Sequence, residues 1–301
     1  MSRFGFLFPA QGAQFVGMGR ELADTLPAAR DLFDRAADIL GYDLATICFE
    51  GPEEKLNATE FCQPGLFVSS MAALESLRRE SPEIVDSCQL GAGLSMGEYS
   101  ALCFAGVLSF DDALRIVQLR GQAMQAAAEA NPGGMVAVLG LEVERIEELC
   151  DQARTAGEVL RIANFLCPGN VVCSGDNAAC QELSRLASEA GAMKVIPLAV
   201  AGAFHTSLMQ LAVETLRDAL ADVKMSTSRV PIVSNVDAEA HDNPREIREL
   251  LIQQVVSPVR WEQSMGTMLA KGLDTFYELG PGKVLRGLMR RINRKIPVHN
   301  V

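Results

Sequence analysis

The chain alternates short apolar runs with longer stretches in which apolar residues recur every three or four positions, the pattern of helices layered on a sheet. Residues 4–8 read as a strand, 19–40 as a helix and 64–79 as a second helix. Residues 88–92 read as a strand end, and 98–103 as the start of a helix. Ser109-Phe110-Asp111-Asp112 resembles a capping box, with Asp in place of the usual Glu or Gln, and opens a third long helix. The breaker cluster Asn131-Pro132-Gly133-Gly134 then marks a change of character. Beyond it the spacing predicts strands at 135–141, 159–164, 171–174 and 193–200, with helices at 144–153 and 178–189. That β-α-β-β-α-β order fits a ferredoxin-like subdomain. Residues 198–203 are expected to return the chain to the main sheet. A strand at 230–234, a helix near 245–255, a strand at 275–278 and a helix after Gly280-Pro281-Gly282 complete the reading. The expected organisation is an α/β domain formed by residues 1–131 and 199–301, with a ferredoxin-like subdomain inserted over 132–198.

Composition narrows the class. With 301 residues, 49% of them hydrophobic and 22% charged, the chain has material for a large core. No apolar stretch reaches membrane-spanning length, and the apolar start is stopped by Pro9, so neither a membrane span nor a signal peptide is expected. The eight cysteines are scattered, without a Cys-x-x-Cys pair, and several lie in apolar runs. They read as reduced thiols of a cytoplasmic protein. The three histidines lie far apart. No metal and no cofactor is expected. The net charge of −11 argues against nucleic acid as a partner. It is uneven, however. From Pro281 onward Lys283, Arg286, Arg290, Arg291, Arg294 and Lys295 meet no acidic residue, leaving −17 for the rest of the chain. Such a segment is either a solvated helix face or a landing site for an anionic partner. Nothing demands a second copy, so a monomer is expected.

Candidate chemistry centres on Gly93-Leu94-Ser95-Met96-Gly97, which sits between an apolar run and a helix-like stretch. Glycines on both sides of a serine permit a sharp strand-to-helix turn that lifts the hydroxyl out of the backbone. The N–H of Met96 would then face a developing oxyanion. A serine nucleophile needs a base. His299 lies at the C-terminal end, where fraying is expected, and His241 falls in a polar loop. His205 closes the apolar run 198–205 ahead of a helix, where active-site residues collect in parallel sheets. Arg120 shares a helical stripe with Ala113, Val117, Met124 and Ala127, which places a guanidinium on the buried face. It is either laid along the surface with its head in water or paired structurally, or else a fork held in a pocket to grip a carboxylate. The loop 8–14 leaves the first strand and turns on Gly12; it is an ordinary loop or a source of a second oxyanion donor.

Together these pieces resemble the malonyl-CoA:acyl-carrier-protein transacylase family over the length of the chain. The matching motifs are Pro9-Ala10-Gln11-Gly12-Ala13-Gln14, Gly93 to Leu102, Arg120-Gly121, Ala163-Asn164-Phe165 with Pro168-Gly169, and Val171 to Gly175. Further along come Phe204-His205, Gln254 with Ser257-Pro258-Val259-Arg260-Trp261, and Glu278 to Lys283. The resemblance implies an α/β-hydrolase-like core with a parallel sheet plus the inserted ferredoxin-like subdomain. It implies that Ser95 attacks the malonyl thioester with His205 as base, and that the acyl group rests on Ser95 until the phosphopantetheine thiol of an acyl carrier protein collects it. Backbone N–H groups of Gln11 and Met96 would hold the oxyanion. Arg120 would pair with the malonyl carboxylate, and an amide-bearing residue near Gln254 would orient His205. Phe204 resembles malonyl-selective members, and its ring would crowd an α-methyl group. The carrier is expected to dock on the basic helix through Arg286, Arg290, Arg291 and Arg294.

Three positions depart from the family pattern. Leu94 stands where a histidine usually precedes the nucleophile, and Leu166 and Asn170 replace amide residues often found there. Rival readings are a serine esterase or thioesterase, with Asp176 as the acid, and a non-catalytic protein that keeps an acyl-carrier or CoA site. Fatty-acid and polyketide synthesis both use the expected chemistry; a chain of this length favours the former.

Overall fold

The alternation of Phe6, Leu7 and Phe8 sets the centre of the molecule. In the computed structural model, which describes residues 3–301, Phe6 and Phe8 enter one apolar layer and Leu7 the opposite one. Their strand, β1 (Phe4–Phe8), lies between β2 (Cys88–Gly93) and a later strand, with both neighbours parallel to it. Being covered on both faces explains why β1 reads as one continuous apolar run. Each large apolar side chain buried this fully contributes about 1.5–3 kcal/mol relative to exposure.

The remaining strands are β3 (Gly133–Leu139), β4 (Leu160–Cys167), β5 (Asn170–Asp176), β6 (Lys194–Pro197), β7 (Ile232–Val233), β8 (Ala240–His241), β9 (Thr275–Glu278) and β10 (Val298–Asn300). The main sheet has the order β10-β9-β1-β2-β7-β8. It is parallel except for β8, which runs antiparallel to β7. The second sheet has the order β4-β5-β3-β6 and is antiparallel throughout. Helices Val143–Ala153 and Asn177–Glu189 follow β3 and β5, giving the β-α-β-β-α-β succession of a ferredoxin-like unit. The chain is thus α/β, with a parallel core sheet and a separate antiparallel sheet. β4 of the second sheet is tied to the rest of the chain where Asn164 bridges Val259, in the segment before the helix Trp261–Ala270: Phe165 N–H donates to Val259 O at 2.9 Å, and Val259 N–H to Ala163 O at 2.8 Å.

Local structure departs from the sequence reading where proline or a polar cap intervenes. The helix expected over 19–40 is two helices, Arg20–Thr25 and Pro27–Leu40. Leu26 between them is extended at φ −126°, as a residue before proline is driven to be. The helix expected to start at Pro64 begins earlier, as Thr59–Glu80, with Pro64 inside it. Ser109 does cap the helix Phe110–Ala130, accepting from Asp112 N–H at 3.1 Å. The Asp112 carboxylate accepts a hydrogen bond from the Ser109 hydroxyl at 2.7 Å, where the Glu of a capping box reaches the main-chain N–H of the cap. Strand β6 stops at Pro197, so residues 198–203 form a loop and no strand of the main sheet leads into His205. His299 is not frayed: it lies in β10 and its ring packs 5.0 Å from that of Tyr277. All eight cysteines are free, and none of the described helices is long and apolar enough to cross a membrane.

Candidate active site

Between the end of β2 and the helix Gly97–Phe104, Ser95 is held at φ 48°, a left-handed conformation that L-residues rarely adopt. A Cβ on Gly93 would overlap the main chain of Gly97, and one on Gly97 the carbonyl of Phe8. No other residue type fits either side of the turn. Asn235, in the segment after β7, clamps it from below. Its side-chain oxygen accepts from Ser95 N–H at 2.6 Å, and its side-chain nitrogen donates to Gly93 O at 2.7 Å. Leu94 donates its N–H to Phe8 O at 3.0 Å and joins the apolar cluster of Leu7, Leu90, Trp261 and Leu288. The turn is therefore packed by hydrocarbon where the family pattern has histidine, and Leu166 lies against the same cluster.

Ser95 Oγ lies 2.9 Å from His205 Nε2, and His205 Nδ1 lies 2.9 Å from Gln254 O. A carbonyl can only accept, so Nδ1 carries the proton and Nε2 presents its lone pair to the serine hydroxyl. Burial pushes the imidazole down to about 4, and the positive charges of Arg120 and Arg161 act in the same direction. At neutral pH it is an uncharged base. His205 also has positive φ, 62°, and its carbonyl accepts from Arg161 Nη2 at 2.8 Å. Arg161 belongs to β4, so the second sheet helps to hold this histidine.

The partner of the histidine is Gln254, the amide-bearing residue expected above, and the contact is made by its main-chain carbonyl, not by its side chain. That side chain has other partners. Its nitrogen donates to Ser95 O at 3.1 Å and to Glu98 Oε2 at 2.7 Å, and its oxygen accepts from Arg120 Nη2 at 3.0 Å. The same Arg120 nitrogen donates to Ser95 Oγ at 3.1 Å, and Nη1 donates to Gln63 Oε1 at 2.7 Å. Arg120 is only 1% exposed, lies 5.6 Å from the Tyr99 ring centre, and pairs with no carboxylate among the described residues. Burial pulls its guanidinium below the ordinary value. A buried cation surrounded by neutral oxygens is poised for an incoming anion.

A cavity of about 300 Å³ opens on this cluster, lined among others by Gln11, Met96, Arg120, Met124, Phe204 and Leu288. The N–H groups of Gln11 and Met96 donate to no protein acceptor among the described residues, leaving both available to an oxyanion. A larger open depression, about 780 Å³, contains none of the site residues expected from sequence. Asp176, offered as an esterase acid, instead accepts from Val159 N–H at 2.6 Å and lies at the start of the helix Asn177–Glu189. His241 meets Asp237 and Glu246 away from the serine.

Sequence reasoning assigned no role to Asn235, Glu98, Gln63 or Arg161. Asn235 was findable, since it follows a strand-like run and strand ends collect site residues. Arg161 interrupts an apolar strand pattern. Gln63 carries no signal of its own.

The basic helix, Val284–Ile292, has two aspects. Val284 and Leu288 line the cavity beside Ser95. Arg286, Arg290 and Arg294 line a separate depression of about 540 Å³ with Lys283 and His299. Arg291 is apart from them and donates to Pro168 O at 3.2 Å, so the four arginines do not share one face.

Comparisons with known proteins agree on one group. Residues 5–298 match the family model described as acyl transferase domain. The malonyl CoA-acyl carrier protein transacylase of Bacillus subtilis is 43% identical over 98% of this chain and 92% of its own. The solved acyl-carrier-protein-S-malonyltransferase of Bartonella henselae superposes with a TM-score of 0.96 at 38% identity, covering 100% of this chain and 95% of that one. A malonyl-transacylase solved in complex with its type II PKS acyl-carrier protein gives a TM-score of 0.95 at 36% identity, covering 100% and 96%.

Proposed function

The chain belongs to the acyl transferase domain family, and on that premise we propose that it moves a malonyl group from malonyl-CoA to the phosphopantetheine thiol of an acyl carrier protein. The observation that carries this reading is Arg120, a buried guanidinium without a protein carboxylate, hydrogen-bonded to the same Ser95 oxygen that faces His205. An esterase acting on neutral acyl groups has no use for such a cation; an acyl group that ends in a carboxylate does.

The chemistry runs in two balanced halves. His205 Nε2 takes the Ser95 proton as Oγ attacks the malonyl carbonyl carbon, and the oxyanion is received by the N–H groups of Gln11 and Met96. Collapse breaks the C–S bond, and the imidazolium returns its proton to the leaving CoA thiolate. In the second half the carrier thiol gives its proton to His205 and attacks the ester carbonyl. The released Ser95 oxygen then recovers that proton. Arg120 holds the malonyl carboxylate throughout and, through Ser95 Oγ, steadies the developing alkoxide.

We read Arg286, Arg290 and Arg294 as the landing surface for an acidic carrier, because the helix that carries the first two also reaches the cavity through Leu288. Service in fatty-acid synthesis as a single cytoplasmic chain completes the proposal, supported by its free cysteines. Incubation with radiolabelled malonyl-CoA tests it. Label held on Ser95 and passed to a carrier thiol is expected. Rapid release of free malonate would mean hydrolysis, and absence of label would mean binding alone. Which carrier is charged, fatty-acid or polyketide, decides the pathway.

A further inference from the structure

Glu98 is a carboxylate that the mechanism above does not use. It lies in the first turn of the helix Gly97–Phe104, 2% exposed, and forms no ion pair among the described residues. A buried carboxylate without a cation is costly unless its oxygens are well supplied with donors. Here Oε2 accepts from Asn235 N–H at 3.1 Å and from Gln254 Nε2 at 2.7 Å. Those two partners are the residues that hold the rest of the site. Asn235 clamps the main chain of Gly93 and Ser95, and Gln254 meets Arg120 through its side chain and His205 through its carbonyl.

The geometry points to Glu98 as a positioning residue that sets the orientation of the Gln254 amide and, through it, the place of Arg120. An amide has one donor end and one acceptor end. With its nitrogen on the carboxylate, its oxygen must face the guanidinium. Turned over, it would set oxygen against oxygen at Glu98 and nitrogen against nitrogen at Arg120. The negative charge thus reaches Arg120 through one amide, close enough to support the cation and too far to occupy its fork. A carboxylate directly on Arg120 would exclude the malonyl group; an apolar residue at position 98 would leave the amide free to turn.

Loss of the charge should therefore damage transfer of carboxylate-bearing acyl groups and spare the others. The inference rests on the malonyl-transfer reading, and the test separates the two. If the parent enzyme loads neither malonyl nor acetyl onto Ser95, that reading fails. If the parent loads malonyl, Glu98→Gln decides the inference, because this variant keeps volume and an acceptor oxygen and removes only charge. The expected result is a fall in malonyl-loading kcat/KM of about 10–100-fold, the range for losing a hydrogen bond to a charged group, with acetyl loading changed less than about threefold. Equal losses, no loss, or a gain in malonyl loading would overturn it; a gain would mean that the charge merely competes with substrate for Arg120.

A second readout needs no variant. Burial holds the Glu98 carboxyl up at about 7, with Asp237 after β7 adding repulsion, while Asn235 and Gln254 pull the other way. Tyr99 beside it in the chain and Arg120 beyond the Gln254 amide are the other ionisable groups facing it. In the parent, the malonyl-to-acetyl loading ratio should fall as pH drops through about 7, over a range where the malonyl carboxylate, with an ordinary value near 4, stays ionised. A ratio flat from about pH 8.5 to about 5.5 would overturn the inference even if Glu98→Gln does not fold.

Discussion

Arg120 and Ser95 are joined by a hydrogen bond of 3.1 Å from guanidinium nitrogen to hydroxyl oxygen, so the cation touches the atom that would attack. Arg120→Ala should reduce malonyl loading by about 10²–10³-fold, the cost of removing one partner of a desolvated charge pair. Acetyl loading, which keeps only the Arg120 contact to Ser95 Oγ and has no carboxylate to be gripped, should fall far less. Parallel kcat/KM measurements with the two thioesters check it, and an equal loss would remove Arg120 from the carboxylate role.

The pH dependence of acetyl loading reports on His205 alone. Its imidazole ordinarily titrates near 6.5 and is held at about 4 here, so it stays neutral well into the acid range. Acetyl-loading kcat/KM should be level from neutral pH down to about 5 and fall with a midpoint near 4. A midpoint near 6.5 would show that burial does not govern the base. The linkage to stability follows with its sign. The unfolded chain takes up this proton first, so His205 lowers stability as pH falls from 6.5 towards 4. Glu98 has the opposite sense: its stabilising share is present below 4.5 and lost as pH rises through about 7.

Asn235→Ala tests the clamp beneath the serine. It removes the acceptor for Ser95 N–H and the donor to Gly93 O, so it disturbs the turn without touching Arg120. Malonyl and acetyl loading should fall together, by about 10–100-fold for two buried hydrogen bonds. A selective loss of malonyl loading would place Asn235 in the carboxylate site instead.

Phe204 lines the cavity beside His205 and is almost fully buried. Phe204→Ser should raise the ratio of methylmalonyl to malonyl loading by about 10–100-fold, within the range one methyl group is worth in an apolar pocket. Competition between the two thioesters measures it.

The arginines in and just beyond the last helix separate cleanly into test and control. Arg290→Ala with Arg294→Ala should raise the KM for an acidic carrier several-fold, about what exposed charges contribute to encounter, and weaken the salt dependence. Arg291→Ala, whose side chain faces Pro168, should change the carrier KM less. Loading from malonyl-CoA in the absence of carrier is the reference for all three.

The sequence was most legible where a single geometry demands particular residue types. Gly93 and Gly97 identify the turn because any Cβ there meets main chain, and the Arg120 stripe identifies a buried guanidinium because helical period is regular. The ferredoxin-like succession was readable from its breakers and its alternating strands. What could not be read depends on contacts between distant segments. Gln254 is the residue beside His205, but only the folded chain shows that its main-chain carbonyl meets the imidazole while its side chain serves Glu98 and Arg120. The loop 198–203 reads as a returning strand because it is apolar, but Leu198, Ala199 and Val200 border the cavity and none of the loop pairs in the main sheet. Short helices such as Leu44–Glu50 and Pro82–Asp86 escaped because one or two turns carry too little periodicity.

Ser95 and His205 are two of the three non-glycine residues with positive φ among those described, and they are the two proposed to exchange a proton. Backbone in that region is strained by about 1–3 kcal/mol per residue. The two residues are thus held against their own conformational preference by Asn235 and Arg161. Activity and durability pull in opposite directions at this one place. Of two inactive variants, Ser95→Gly should melt about 2–4 °C above Ser95→Ala, since only glycine accepts φ 48° without strain. A selection for heat resistance alone would drift towards glycine at the nucleophile, and the enzyme would become sturdier by ceasing to be one.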